Sequence, residues 1–239
     1  MTQTARQLGS GAIIAAAVVT FALPASAASN LTIRLTDFVG SITIADNGVG
    51  DGDGAGGIID YDSTLGPVLL GGSHASVQSV IGPNATISGS IEWDSSTTLA
   101  DTLTFEVSAT DYTLPGLHWL GTHAFGGTTP GTVTVEAFWS DSNTLFDPKY
   151  SIGGPFSYTH GSGAPFSGFG DTLSEFAIAG VNPFSMTTVV TITHGDLQAV
   201  ISQVDTASNL SPVPVPAALP LLVSAFGIMG ALRLRRRRA

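Results

Sequence analysis

The constraint that most limits this chain is a period of two that recurs in short runs. Leu31-Thr32-Ile33-Arg34-Leu35 alternates apolar and polar residues, and so does Ser41-Ile42-Thr43-Ile44. Ala85 to Trp93 alternates around a glycine. Thr102 to Ala109, Thr132 to Trp139 and Met186 to Thr193 are rich in β-branched and aromatic side chains. Fainter runs fall at Ile58 to Tyr61, Ser76 to Ile81, Phe156 to His160, Leu173 to Ile178 and Ala199 to Val204. Clusters of Gly, Pro, Asn and Asp separate them, as turns between strands require. No window of the body keeps a 3.6-residue period over three turns, so amphipathic helices are not expected there. Roughly nine to eleven short strands in one domain's length predict an all-β fold, an antiparallel β-sandwich of jelly-roll type. No repeat of fixed period is present, which argues against a solenoid.

The two ends of the chain follow other rules. Met1 to Ala27 reads as a secretory signal peptide: Arg6 begins it, Ile13 to Leu23 is apolar, and Ala25-Ser26-Ala27 offers a small-x-small cleavage site before Ala28. The far end reads in three parts. Val213-Pro214-Val215-Pro216-Ala217 is a rigid, extended motif, because each proline fixes its own φ and restricts the residue before it. Ala217 to Leu232 is apolar and, as a helix, would span roughly 24 Å, a little short of the usual hydrocarbon thickness. Arg233, Arg235, Arg236, Arg237 and Arg238 then form a basic cluster, which acts as a cytoplasmic stop. The domain plan is therefore 1–27 signal peptide, 28–211 extracytoplasmic β domain and 212–239 C-terminal signal with a single hydrophobic helix.

Charge divides along the same lines. Six of the eight basic residues lie in the two terminal segments. The body keeps Arg34 and Lys149 against all 18 acidic residues, a balance of −16. Nucleic acid is an unsuitable partner for such a surface, since phosphate contacts need Lys and Arg. The chain has no cysteine, which removes disulfides and thiol chemistry and leaves stability to the core or to bound ions.

The tail resembles the PEP-CTERM/VPLPA-CTERM sorting signal of Gram-negative bacteria: a short proline motif, an apolar helix and a terminal Arg cluster. Val215 stands where the commoner motif has Glu, so the likeness is to the VPLPA-type variant. The resemblance implies an exported surface or extracellular-matrix protein. Signal peptidase would release it, its tail would hold it transiently in the inner membrane, and an exosortase-like protease would then remove that tail. A plain single-span anchor is the simpler reading of the same residues. The body is similar to uncharacterised exported members of this group. The likeness rests on Leu31 to Asp37, Asp46-Asn47-Gly48, Asp51-Gly52-Asp53-Gly54 and the late run Val189 to His194. That likeness carries no activity with it; the role expected of the body is structural or adhesive rather than enzymatic, with a carbohydrate-binding module, calcium-dependent or not, as the alternative.

Four groups of residues could carry chemistry. Asp46 to Asp62 is the densest acidic stretch, and counted from Asp51 it places Asp51, Asp53 and Asp62 at calcium-loop positions 1, 3 and 12 with Gly56 at the turn. Position 5 is Ala55, and the same stretch reads equally as a Gly/Asp hairpin loop. His118 and His123, five apart, fall on opposite faces of a strand, and the five histidines are expected at the surface or in turns. Trp93, Trp119, Trp139, Tyr150, Phe156 and Tyr158 are expected in the core; a sugar-stacking platform is the other use for them. Glu92 and Asp94 flank Trp93 and share one strand face about 7 Å apart, a glycosidase-like separation that any alternating strand produces.

Overall fold

The structure is a computed structural model of the 239-residue chain. It describes residues 29–62, 72–81, 83–95, 101–116, 118–160, 167–179, 181–195 and 200–213. The expected signal peptide (cleavage at Ala25, Ala27 and Ala28) lies outside the described residues. So do Pro214, Val215, Pro216 and Ala217 of the proline motif, the apolar helix, and the basic cluster of Arg233, Arg235, Arg236, Arg237 and Arg238.

Every element of the described residues is a strand, and every pairing is antiparallel. In chain order they are β1 Ser29–Thr36, β2 Ser41–Ala45, β3 Ile58–Asp62, β4 Gly72–Ile81, β5 Ala85–Ser95, β6 Asp101–Tyr112 and β7 His118–Thr129. There follow β8 Thr132–Ser140, β9 Tyr150–Ser151, β10 Phe156–Thr159, β11 Ser167–Ala179, β12 Phe184–His194 and β13 Val200–Pro212. One sheet runs β10-β8-β12-β6-β1-β2, with β9 on the same edge of β8 as β10. The other runs β11-β7-β13-β5-β4-β3. From β5 onward the chain changes sheet at each strand, except where β8, β9 and β10 follow one another in the seven-stranded sheet.

The two sheets face each other over one core, built from the apolar members of the alternating runs. Ile33 and Leu35 of β1, Phe105 and Val107 of β6, and Val190 and Ile192 of β12 come from one sheet. Ile87 and Ile91 of β5, Trp119 of β7 and Val204 of β13 come from the other. Side chains this size each gain roughly 1.5–3 kcal/mol on leaving water, so this shared interior is the main drive for closure. Trp119 sits 4.7 Å from Phe184 and 6.2 Å, edge-on, from Trp139 across the gap. Tyr112 reaches from β6 to the opposite sheet, where its hydroxyl lies 2.6 Å from Ser79 Oγ and donates to the Thr86 carbonyl. Its burial pushes the phenol well above its ordinary pKa, so it stays neutral.

Two features extend the sequence reading. β13 runs through Pro212, and the Val213 N–H donates to the His118 carbonyl at 3.0 Å. The β domain therefore continues to the first residue of the proline motif, beyond the expected end at residue 211. The loop 141–149 folds back over one end of the seven-stranded sheet: the Phe146 N–H donates to Ser108 Oγ, and the Arg34 guanidinium lies 4.4 Å from the Phe146 ring.

Candidate binding faces

The acidic loop between β2 and β3 is held by its own carboxylates. Asp51 Oδ1 accepts from the N–H groups of Asp53 and Asp60, and Oδ2 accepts from Asn47. Asp53 Oδ1 accepts from the Ala55 N–H, and Asp46 Oδ2 accepts from Gly57 at 2.7 Å. These are the local turns for which Asp is suited, repeated until the loop is closed. Asp62 lies apart from them, in register with His74. Among the described residues no three His, Asp or Glu side chains are grouped so as to hold a metal ion. The structure thus does not gather Asp51, Asp53 and Asp62 at one point.

The histidines divide into two kinds. His74 is exposed and 3.6 Å from Asp60, and His118 is exposed at the start of β7. His118 and His123 take opposite faces of β7, as their odd spacing requires. The expectation of surface or turn positions fails for His123 and His194, which are both fully buried. His123 Nδ1 lies 2.9 Å from Ser208 Oγ, which in turn lies 2.8 Å from Thr188 Oγ1 on the other sheet. His194 Nε2 lies 2.7 Å from Ser202 Oγ, itself 2.8 Å from Thr129 Oγ1. Trp93 stacks flat on the His194 ring at 4.3 Å. Burial lowers both imidazoles to about 4, so both are neutral at pH 7. A serine beside an imidazole is how a nucleophile is activated. Here Ser202 and Ser208 are as buried as their histidines.

The three tryptophans are core residues, which removes them from any sugar platform. Tyr150 is 39% exposed but lies stacked on Trp139, and Phe156 packs between Phe125 and Phe169. Glu92 and Asp94 do share the outer face of β5, opposite Gln203 and Ile201 of β13. Both basic residues of the body are already paired: Arg34 forks onto Glu106, and Lys149 meets Asp141. The remaining acidic surface has no internal cation to balance it among the described residues.

What the fold does expose is a groove on the outer face of the six-stranded sheet. Register puts Gly170, Gly126, Asp205, Ser90, Ser76 and Asp60 in one row across β11, β7, β13, β5, β4 and β3. The neighbouring row holds Thr172, Ala124, Ala207, Ser88, Gln78 and Ile58. Small side chains (Ala124, Ala207 and Ser88 in one row, Gly126, Ser90 and Ser76 in the other) lower both rows, and Asp205 stands among them. Two cavities of about 570 and 430 Å³ lie along them and share Asp205 and Thr206. Sequence reading missed this floor because it did not place a strand at 118–129. The signal was present in Trp119, Gly121, His123 and Phe125, which alternate inward.

No known protein family matches this chain, and no curated protein matches it. Among solved structures it aligns with the enzymatically active domain of tailspike protein 4 of bacteriophage CBA120. Identity is 10% and the TM-score 0.26, over 74% of this chain and 19% of that one. It also aligns with CBM29-2, a family 29 carbohydrate-binding module, at 8% identity and a TM-score of 0.23, over 79% of this chain and 95% of that one. The chain spans about one fifth of the tailspike domain's length. Likenesses this slight carry no argument about function.

Proposed function

We propose that this is an exported, non-enzymatic β-sandwich of jelly-roll order that adheres through a sheet face to a neutral polymer of the cell surface or extracellular matrix. The order β11-β7-β13-β5 in one sheet and β10-β8-β12-β6 in the other, with the chain crossing between sheets from β5 onward, supports the jelly-roll reading. The export route is the one implied by the terminal segments: signal peptidase acts at Ala27–Ala28, the C-terminal helix holds the chain in the inner membrane, and an exosortase-like protease acts near Val213 to Ala217.

The observation that carries the adhesive reading is the six-strand groove. It is open and long, its floor is mostly of small side chains, hydroxyls and an amide border it (Ser76, Ser88, Ser90, Thr172 and Gln78), and Asp205 and Asp171 line it as well, which disfavours a polyanion. Such a surface suits an extended polysaccharide better than a compact metabolite, which needs an enclosing pocket.

Two measurements test the proposal. Intact mass of protein recovered from the membranes and from the medium of the native host should show a mature form starting near Ala28 and ending between Val213 and Ala217; a form that keeps Arg235, Arg236, Arg237 and Arg238 sinks the sorting route. Affinity electrophoresis of the full chain through gels containing neutral polysaccharides, with calcium and with chelator, should show retardation that Ala207→Lys reduces. Unchanged migration in every gel would remove the polysaccharide as ligand.

A further inference from the structure

The opposite side of the molecule carries a second ordered surface. On the outer face of the seven-stranded sheet, register sets Thr102, Thr193, Thr132 and Thr159 side by side across β6, β12, β8 and β10. Two residues along each strand a second row holds Thr36, Thr104, Thr191 and Thr134 across β1, β6, β12 and β8. The hydroxyls therefore repeat at about 4.8 Å between strands and about 6.8 Å along them. Thr102 and Thr193 are hydrogen-bonded to each other, and Thr132 donates to Thr159, so the hydroxyls are ordered within the row. No charged side chain stands in either row; charge begins one step further on, with Glu136, Glu106 and Arg34. The loop 141–149 covers the sheet beyond that point and leaves the threonines half-buried or exposed.

One end of this array has a different chemistry. Asp37 Oδ1 accepts from the N–H groups of Val39 and Gly40 and fixes the β1–β2 turn. That turn presents Phe38, 62% exposed, beside a cavity of about 410 Å³ which Thr102, Thr104 and Thr193 also line. Asp101 lines the same cavity. It is 3% exposed, follows the inward alternation of β6 in register with His194, and accepts from the Thr102 N–H, so it lends negative charge to this end of the array and no hydrogen bond to its outer face.

We propose that this face is a second binding site, for a neutral polysaccharide chain that crosses the strands at about one sugar residue per strand, with a sugar ring stacked on Phe38. The strand spacing is close to the length of one pyranose residue in an extended chain, so each ring meets a fresh threonine. Uncharged hydroxyls exchange hydrogen bonds with sugar hydroxyls without desolvating an ion. An aromatic face takes the C–H face of a ring. A flexible chain follows the twist of the sheet, which a flat crystalline surface does not. A polyanion is repelled by Asp37, Asp101 and a body balance of −16. The site lies on the face turned away from the groove and stands independently of it.

The test is affinity electrophoresis of the full chain in hydroxyethyl cellulose, β-glucan and galactomannan gels, with alginate as the polyanionic control. Phe38→Ala and the double variant Thr104→Val/Thr191→Val should each weaken retention in at least one neutral gel about tenfold or more, and Ala207→Lys should leave part of it. Thr→Val keeps shape and β-branching, and thermal melts confirm that the fold is intact. Loss confined to Ala207→Lys overturns this site and leaves the groove. Equal retention in alginate overturns the neutral class of ligand, and no retention in any gel overturns both sites.

Discussion

Ser202 and Ser208 on β13 face inward and are 0–1% exposed, whereas Thr102 and Thr159 on β6 and β10 face outward and are exposed. The side chains are chemically close, and both sets stand in ordered hydroxyl contacts. Inside, each hydroxyl joins a histidine to a threonine; the His123–Ser208–Thr188 chain runs from β7 through β13 to β12 and so crosses between the sheets. Such bonds fix how one sheet sits on the other, because a shift would leave a buried hydroxyl and a buried imidazole unpaired. Outside, the same bonds compete with water at every moment, so they add little to stability and remain available for a ligand. The contrast is one of solvent rather than of residue type, and the following measurements are chosen to break it or sharpen it.

The largest expected effect is on acid stability. His123 and His194 have folded values of about 4 against an ordinary 6.5, so the unfolded chain binds more protons between those limits. Stability is therefore full above pH 6.5 and falls as pH drops from 6.5 to 4, by up to roughly 3 kcal/mol per histidine. The groups facing His194 have mixed signs. Asp94 favours its protonated form, and the pKa of buried Asp101, its register partner on β6, is itself raised by burial, so protonating Asp101 favours the folded state. Two histidines still account for a loss comparable with the whole stability of an ordinary domain. Urea melts from pH 7 to pH 4 should show this slope, and His123→Gln with His194→Gln should flatten it. A flat profile in the parent protein would mean the interior is wetter than its packing implies.

Next in size is the removal of one inner hydroxyl. Ser208→Ala strips His123 and Thr188 of a shared partner and should cost about 1–3 kcal/mol, read as a lower urea midpoint at unchanged slope.

That interior was the part of the fold least visible in the sequence. β1, β2, β5, β6, β8 and β12 were legible because their inward residues are apolar and their outward ones polar. β13 was read only from Ala199 to Val204, although it runs to Pro212, because Thr206 and Ser208 look inward and a hydroxyl reads as an outward residue. The strand at 118–129 was missed for a related reason: Gly121 and His123 occupy inward positions. Only the second sheet makes such positions favourable, and pairing between sheets leaves no periodic mark on either strand. The acidic loop shows the same limit. An aspartate that ligates calcium and one that accepts backbone N–H bonds have the same letter, and neighbouring N–H groups decide between the roles.

Asp51 gives the intermediate case, half-buried and bonded three times to its own loop. Asp51→Ala should lower stability by about 1–2 kcal/mol through loss of those charge-assisted bonds. The melting temperature of the parent should not move with calcium or chelator. A clear rise in millimolar calcium would return Asp51, Asp53 and Asp62 to the cation reading.

The smallest expected effect is the sharpest test, because two threonines of one strand differ only in the direction they face. Thr188 and Thr191 both lie on β12. Thr188 is 1% exposed and bonded to Ser208, whereas Thr191 points outward in the hydroxyl array. Valine has the same shape and β-branching as threonine, so the substitution removes a hydroxyl and little else. Thr188→Val should cost about 1–3 kcal/mol, because it leaves Ser208 short of a partner in the dry interior. Thr191→Val should stay within about 0.5 kcal/mol, as exposed substitutions usually do. If the two variants melt alike, the inner hydroxyls do not register the sheets, and the distinction between an inner polar layer that holds the fold and an outer one free to bind fails. If they differ as expected, Thr191 can be altered without disturbing the fold, and any change in polysaccharide retention belongs to the surface itself.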